Sequence, residues 1–166
     1  MNRKFLIISG IILLLAATAG IFYWCSDRRK LNVMLDDAEH LVSKRPATAP
    51  HDGVLKYAAV DRIFAEKLTV SCDAPALNMS LTNAELRTWL VAMHRQIRSL
   101  SIKSGDREFH ISQDRAGFSF NAEISGESSR HGSSREVKEI SGRAVKKENR
   151  WLISELHIKS VVKPHY

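Results

Sequence analysis

The stretch "KKENRWLISELHI", residues 146–158, carries the main architectural signal of this 166-residue chain. Two lysines end one extended segment and Glu148-Asn149-Arg150 form a polar turn. Trp151 then opens a run in which apolar and polar residues alternate, the period of a strand with one buried face. The alternation changes hand partway. Trp151 and Ile153 are odd, whereas Leu156 and Ile158 are even, so parity slips around Ser154-Glu155.

Reading outward from this hairpin, three more strands precede it. "REVKEISGRAVKKEN" (135–149) is a long strand with Gly142 as a kink, and "GESSRHGSS" (126–134) is a polar hairpin loop. "AGFSFNAEIS" (116–125) places Ala116, Phe118, Phe120, Ala122 and Ile124 on one face, and Ser119, Asn121, Glu123 and Ser125 on the other. "LSIKSGDREFHIS" (100–112) also alternates, but its apolar parity slips between Ile102 and Phe109, with Gly105 placed for a bulge.

The earlier half reads as helical. Leu31, Met34, Leu35, Ala38, Leu41 and Val42 recur at three- and four-residue steps, predicting a helix over 31–44 that Pro46 ends. After the loop "RPATAPHDG" (45–53), a second helix is expected over 53–67, and "TVSC" (69–72) reads as a short strand followed by irregular "DAPALNMS" (73–80). In "LTNAEL", Thr82 and Glu85 have the spacing of a capping box, and Leu81 and Leu86 that of a hydrophobic staple. A third helix follows over 83–99, with Leu86, Leu90, Met93, Ile97 and Leu100 as its buried stripe.

Phe5–Trp24 is a run of 20 residues without charge, ending in Phe22-Tyr23-Trp24 and followed by Arg28, Arg29 and Lys30. At 1.5 Å per residue it spans about 30 Å, the hydrocarbon thickness of a bilayer, and it ends in rings suited to headgroup depth. The expectation is a transmembrane helix over 5–24 within an anchor segment 1–30, carrying a domain over 31–166. Ala17-Thr18-Ala19 also matches a signal-peptidase site, so secretion after cleavage near Ala19 is the alternative. Lipid attachment at Cys25 is disfavoured by bulky Tyr23 and Trp24. The short basic tail favours a signal anchor, with the domain on the outer side of a bacterial inner membrane, in the periplasm.

The formal charge is +7, but five of the 25 basic residues and only one of the 18 acidic ones lie within 1–30, leaving 20 against 17 thereafter. The basic balance is thus largely a membrane-flank effect, and no nucleic acid is expected as a partner. Two cysteines, Cys25 and Cys72, make no disulfide framework. Seven histidines include no pair at zinc-helix spacing, and His40 with Asp36 and Asp37 reads as an exposed helix side, so neither metal nor cofactor is expected.

The element order, closed by "KKENRWLISELHI", resembles the nuclear transport factor 2-like superfamily, which includes ketosteroid-isomerase-like members. The resemblance covers about 31–162. It implies an α+β cone: three helices packed on a curved, mostly antiparallel sheet of four long strands plus one short strand, here behind a transmembrane helix. A cystatin-like arrangement, one helix on a four-stranded sheet, is the nearest rival and leaves the first two helices unexplained. The resemblance also implies a pocket in the cone. Tyr57, Asp61 and His94 are the candidate polar lining, and Trp89, Phe118 and Phe120 the apolar one. Glu123 and His157 are placed on the outer sheet face by alternation.

No catalytic residue is assigned, because fold alone decides no reaction. The preferred reading is a tethered, non-catalytic binding or scaffold domain of a bacterial envelope assembly. Its partners would be membrane lipid through the N-terminal helix, a protein in the same membrane, or a small apolar ligand. The alternatives are an isomerase or dehydratase acting in the cone, which needs an ionisable group enclosed there, and a dimer formed through the outer sheet face.

Overall fold

A computed structural model describes residues 18, 22, 26–45, 56–73, 76–128 and 132–160. Its elements run α1 (Asp27–Val42), α2 (Val60–Ile63), β1 (Phe64–Asp73), β2 (Ala76–Thr82), α3 (Asn83–Gln96), β3 (Ile97–Ser104), β4 (Glu108–Ser112), β5 (Arg115–Ser128), β6 (Gly132–Lys147) and β7 (Arg150–Ser160). One seven-stranded mixed sheet has the order β2-β1-β7-β6-β5-β3, with β4 also on β5. Only the β1–β7 pair is parallel. The α+β class and the curved sheet under helices stand as expected, with seven strands in place of five.

The closing hairpin behaves as its sequence predicts. Glu148 and Asn149 both have positive φ, 50° and 62°. This is the two-residue turn whose twist matches that of the flanking strands. The β6–β7 register then shifts between Arg143↔Glu155 and Ala144↔Ile153, leaving Ser154 as the extra residue. That insertion puts Leu156 on the same face as Ile153. Cross-strand neighbours Val70, Leu156, Gly142, Phe118 and Phe109 form one inward row spanning five strands. Gly142 sits beneath the Phe118 ring, the space a side chain would need.

The second parity slip has the same cause. Ser104 faces Ala122, whereas Glu108 faces Ser119, so Gly105, Asp106 and Arg107 stand opposite only two residues of β5. The Gly105 N–H still reaches the Asn121 carbonyl at 2.7 Å. One extra residue thus keeps Ile102 and Phe109 both packed against the core. Bulges of this kind bend a sheet and add twist.

The concave face is covered by α1, whose Leu31, Met34, Leu35 and Leu41 join Phe118, Phe120, Trp151 and Ile153 in one core cluster. Thr82 and Glu85 form the expected capping box at the start of α3. The opposite sheet face is polar, with the row Ser71, His157, Ser141, Ser119 and Glu108.

Several boundaries differ from expectation. Of the helix expected over 53–67, residues 53–55 lie outside the described residues, 56–57 and Val60–Ile63 are helical with a turn between them, and Phe64 begins a ten-residue strand. Ile63 and Phe64 are adjacent and both buried, which a helix-to-strand junction allows. The irregular 73–80 segment contains β2, an edge strand. The third helix stops at Gln96, and 97–104 is strand. The hairpin loop shrinks, as β5 runs to Ser128 and β6 starts at Gly132. Among the described residues no helix is long and apolar enough to cross a membrane. The expected span 5–24, apart from Thr18 and Phe22, lies outside the described residues, as does Cys25.

Candidate functional site

The C-terminal end of α1 is where polar groups converge. Its last carbonyls have no partner within the helix. The Val42 carbonyl accepts from His94 Nε2 at 2.7 Å, and the Ser43 carbonyl accepts from Lys56 Nζ. A carbonyl can only accept, so Nε2 carries the imidazole proton. Neutral His94 then accepts at Nδ1 from the Tyr57 hydroxyl, 2.6 Å away. Lys44 Nζ donates to the His94 and Ile97 carbonyls at 2.5 Å each, while the Lys44 backbone exchanges two hydrogen bonds with Leu100 of β3. Three separate segments are thereby tied together around one histidine.

His94 is the buried polar residue of the described core, 8% exposed. Burial pushes its pKa below the usual 6.5, and the Lys56 and Lys44 charges push the same way against the Val42 hydrogen bond. Burial raises the Tyr57 hydroxyl and lowers the Lys56 ammonium, the latter with help from Arg45. For His94 the unfolded chain binds a proton more readily than the folded one. Its contribution to stability is therefore complete above pH 6.5 and declines as pH falls toward the depressed folded value. Urea midpoints measured from pH 5 to 8 are expected to fall at the acid end. His94→Gln, which can donate and accept without titrating here, flattens that slope. Tyr57→Phe leaves Nδ1 without its donor and is expected to cost about 1–2 kcal/mol.

In front of this knot lies an open cleft of about 870 Å³ between the second half of α1 and the ends of β3, β5 and β6. Asp36, Glu39 and His40 form its helix wall, and Leu100, Ile102, Gly126 and Ser134, on the helix side of the sheet, are among its sheet residues. Arg107 holds the helix wall in place. Its guanidinium meets Asp36 at 2.7 Å, Glu39 at 2.5 Å and the Asn32 carbonyl at 3.1 Å, and lies 5.9 Å from the Phe120 ring centroid. With a side chain only 9% exposed, Arg107 is a nearly buried cation. The sequence predicts the bulge loop that carries it, but beyond neighbouring Ser104 its partners, on α1, are 68 or more positions away and local sequence gives no sign of them. A lone arginine in a glycine bulge beside an alternating strand is the one available hint.

The six residues named from sequence do not share one pocket. Tyr57 and His94 meet, and Phe118 and Phe120 stack with centroids 6.3 Å apart inside the core. Asp61 faces outward, paired with Arg87 and Asn83, and Trp89 is 49% exposed on α3. Glu123 pairs with Arg135 at 2.6 Å and lies on the outer face, where Arg135 holds its carboxyl below the usual range. His157, also on that face, sits between Ser71 Oγ at 2.8 Å and Asp73 at 3.4 Å, all three solvent-accessible. Cys72 is half-buried. Among the described residues no group of three or more His, Cys, Asp or Glu is placed to hold a metal ion.

No protein-family profile and no curated protein matches the sequence. Solved structures do share its fold. The Kfla4162 protein of Kribbella flavida aligns at 12% identity over 81% of this chain and 90% of its own, with a TM-score of 0.69. A candidate dehydratase of the nuclear transport factor 2-like family from Streptomyces avermitilis aligns at 9% identity over 82% and 98%, with a TM-score of 0.60. A protein of unknown function with a cystatin-like fold from Nostoc punctiforme aligns at 14% identity over 82% and 92%, with a TM-score of 0.59. The chain thus has the nuclear transport factor 2-like, or cystatin-like, fold. At these identities the likeness concerns fold alone.

Proposed function

We propose that this chain is a membrane-tethered binding domain without catalysis of its own, held by a helix over Phe5–Trp24 on the outer side of a bacterial inner membrane. The observation that carries the non-catalytic part is the state of the interior. Among the described residues its one imidazole has both nitrogens engaged, and Asp61, the acid named for the same cone lining, stands in solvent. An acid–base site needs a group free to meet substrate. The cleft at the end of α1 is the binding surface. Its hydroxyls and its charges of both signs suit a polar segment of a protein in the same membrane, where the tether raises effective concentration.

An enzyme of the isomerase or dehydratase type is the second reading. The Tyr57–His94 hydrogen bond and the name given to the Streptomyces neighbour favour it. On that reading a small apolar substrate would have to break the Tyr57–His94 pair to use either group.

The test is capture of the full-length protein from its own membranes, followed by mass spectrometry of what comes with it. One protein in equal amount is expected, and it is lost when Ser134→Trp, opposite Gly126 on the helix side of the sheet, fills the cleft. Recovery of a small molecule that the protein converts, with no protein partner, would replace this reading with the second.

A further inference from the structure

The other end of α1 holds a different surface. The helix enters the domain beside the β6–β7 turn, and the two are bonded together. Lys30 Nζ donates to Asn149 Oδ1 at 2.9 Å, and Lys146 Nζ and Trp151 Nε1 both donate to the Asp27 carboxylate, at 2.9 and 3.1 Å. The Lys146 hydrogen bond is the main cause that holds the Asp27 carboxyl below its usual range. These contacts frame a groove of about 420 Å³. Arg29 and Lys30 from α1, Arg62 from α2 and Arg150 from β7 line it, with Asp37 as the carboxylate in the lining and Glu148 paired with Arg150 at 3.6 Å beside it. Val33, 50% exposed, adds apolar surface, and the edges of Met34 and Trp151 complete the lining.

Four cations from three elements therefore face one space that also offers apolar contact. A simple anion would use only the charges. An amphiphilic anion uses both, placing phosphate oxygens on guanidinium groups and its first methylenes along Val33. Position supports the same class of ligand. The apolar run ends at Trp24 and α1 starts at Asp27, and three residues of chain reach at most about 10 Å. On the tether reading the groove stands at headgroup distance, where basic side chains gain from anionic lipid.

We infer that the groove binds the headgroup phosphate of an anionic phospholipid in the membrane that holds the tether. Binding there seats the domain on its basic end. The polar cleft lies at the far end of α1, whose 16 residues span about 24 Å, and so points away from the lipid. The inference rests on the tether for its location, but the groove can be tested without it.

The full-length protein in neutral detergent is titrated with phosphatidylglycerol or phosphatidylcholine, and bound lipid is read by native mass spectrometry. One phosphatidylglycerol per chain is expected to be retained, and phosphatidylcholine is not. Arg62→Gln and Arg150→Gln each weaken retention roughly fivefold, and together roughly 25-fold. Arg143→Gln, on the outer sheet face, leaves it unchanged. Raising the salt weakens retention because the exposed charges are screened. Equal retention of both lipids, no effect of the two arginine variants, or displacement of the lipid by an equal concentration of glycerol phosphate would each overturn the proposal. Alkaline extraction of native membranes tests the tether separately, so loss of one reading is distinguishable from loss of the other.

Discussion

Gly142→Ala is expected to lower folding stability by about 3 kcal/mol, read as a drop in the urea midpoint of the full chain in mild detergent. A β-carbon at this position would sit 2.5 Å from Phe118 Cζ and closer still to the Glu155 carbonyl oxygen. The ring is 3% exposed and has no free direction to move. The carbonyl belongs to the residue next to the Ser154 insertion, so moving it would disturb the register on which the Leu156 side depends. Gly117→Ala is the control in the same sheet. Nothing lies within 4 Å of its added methyl, and the change is expected to be neutral or slightly stabilising. Equal losses at the two glycines would show that close approach at Gly142 is not what the sequence protects.

Arg107→Met should be nearly as damaging, at about 3 kcal/mol. The substitution keeps an apolar stem but removes the cation between Asp36 and Glu39, two acids three residues apart on one helix flank. Glu39, 20% exposed, is left with little water to replace its partner, whereas Asp36, 66% exposed, is readily resolvated and accounts for less of the loss. Arg107→Lys is expected to recover only part of it. One ammonium cannot reach both carboxylates, the Asn32 carbonyl and Ser104 Oγ, which the planar guanidinium spans together. If lysine restored full stability, the fork geometry would be irrelevant and charge alone would matter. A second consequence can be checked in the same samples. With the helix wall loosened, the cleft should lose its partner in the membrane capture even where the protein remains folded.

Much of the sheet was legible because its irregularities leave a trace in parity. Ile102 against Phe109, and Ile153 against Leu156, fall on opposite parities yet pack on one face, and each pair straddles an inserted residue. The capping box at Thr82 and Glu85 was legible because it is local, complete within four residues. The first half of the sheet was harder for a physical reason. Between Phe64↔Ile153 and Thr69↔Glu155, β1 carries several residues with no counterpart on β7, which breaks its alternation and leaves Ile63 and Phe64 in what looks like a helical stripe. In β2, Leu77, Met79 and Leu81 do alternate with Asn78, Ser80 and Thr82, but an edge strand exposed along most of its length shows weak contrast. The candidate site was least legible. Tyr57 and His94 are both named from sequence, but their hydrogen bond joins positions 37 apart, and Lys44 and Arg107, which organise the surroundings, act over longer separations. Sequence spacing reports faces of single elements, whereas this cluster is created by packing between elements.

The position of β7 has a consequence for how the protein is made. The last strand described is not at a border of the sheet but between β1 and β6. Until residues 150–160 leave the ribosome, β1 and β2 form one unfinished piece and β3 to β6 another, each with an unpaired margin that only β7 can close. A nascent chain stalled or truncated before Arg150 therefore presents two complementary sticky borders at once, and is the form of this protein most in need of a chaperone.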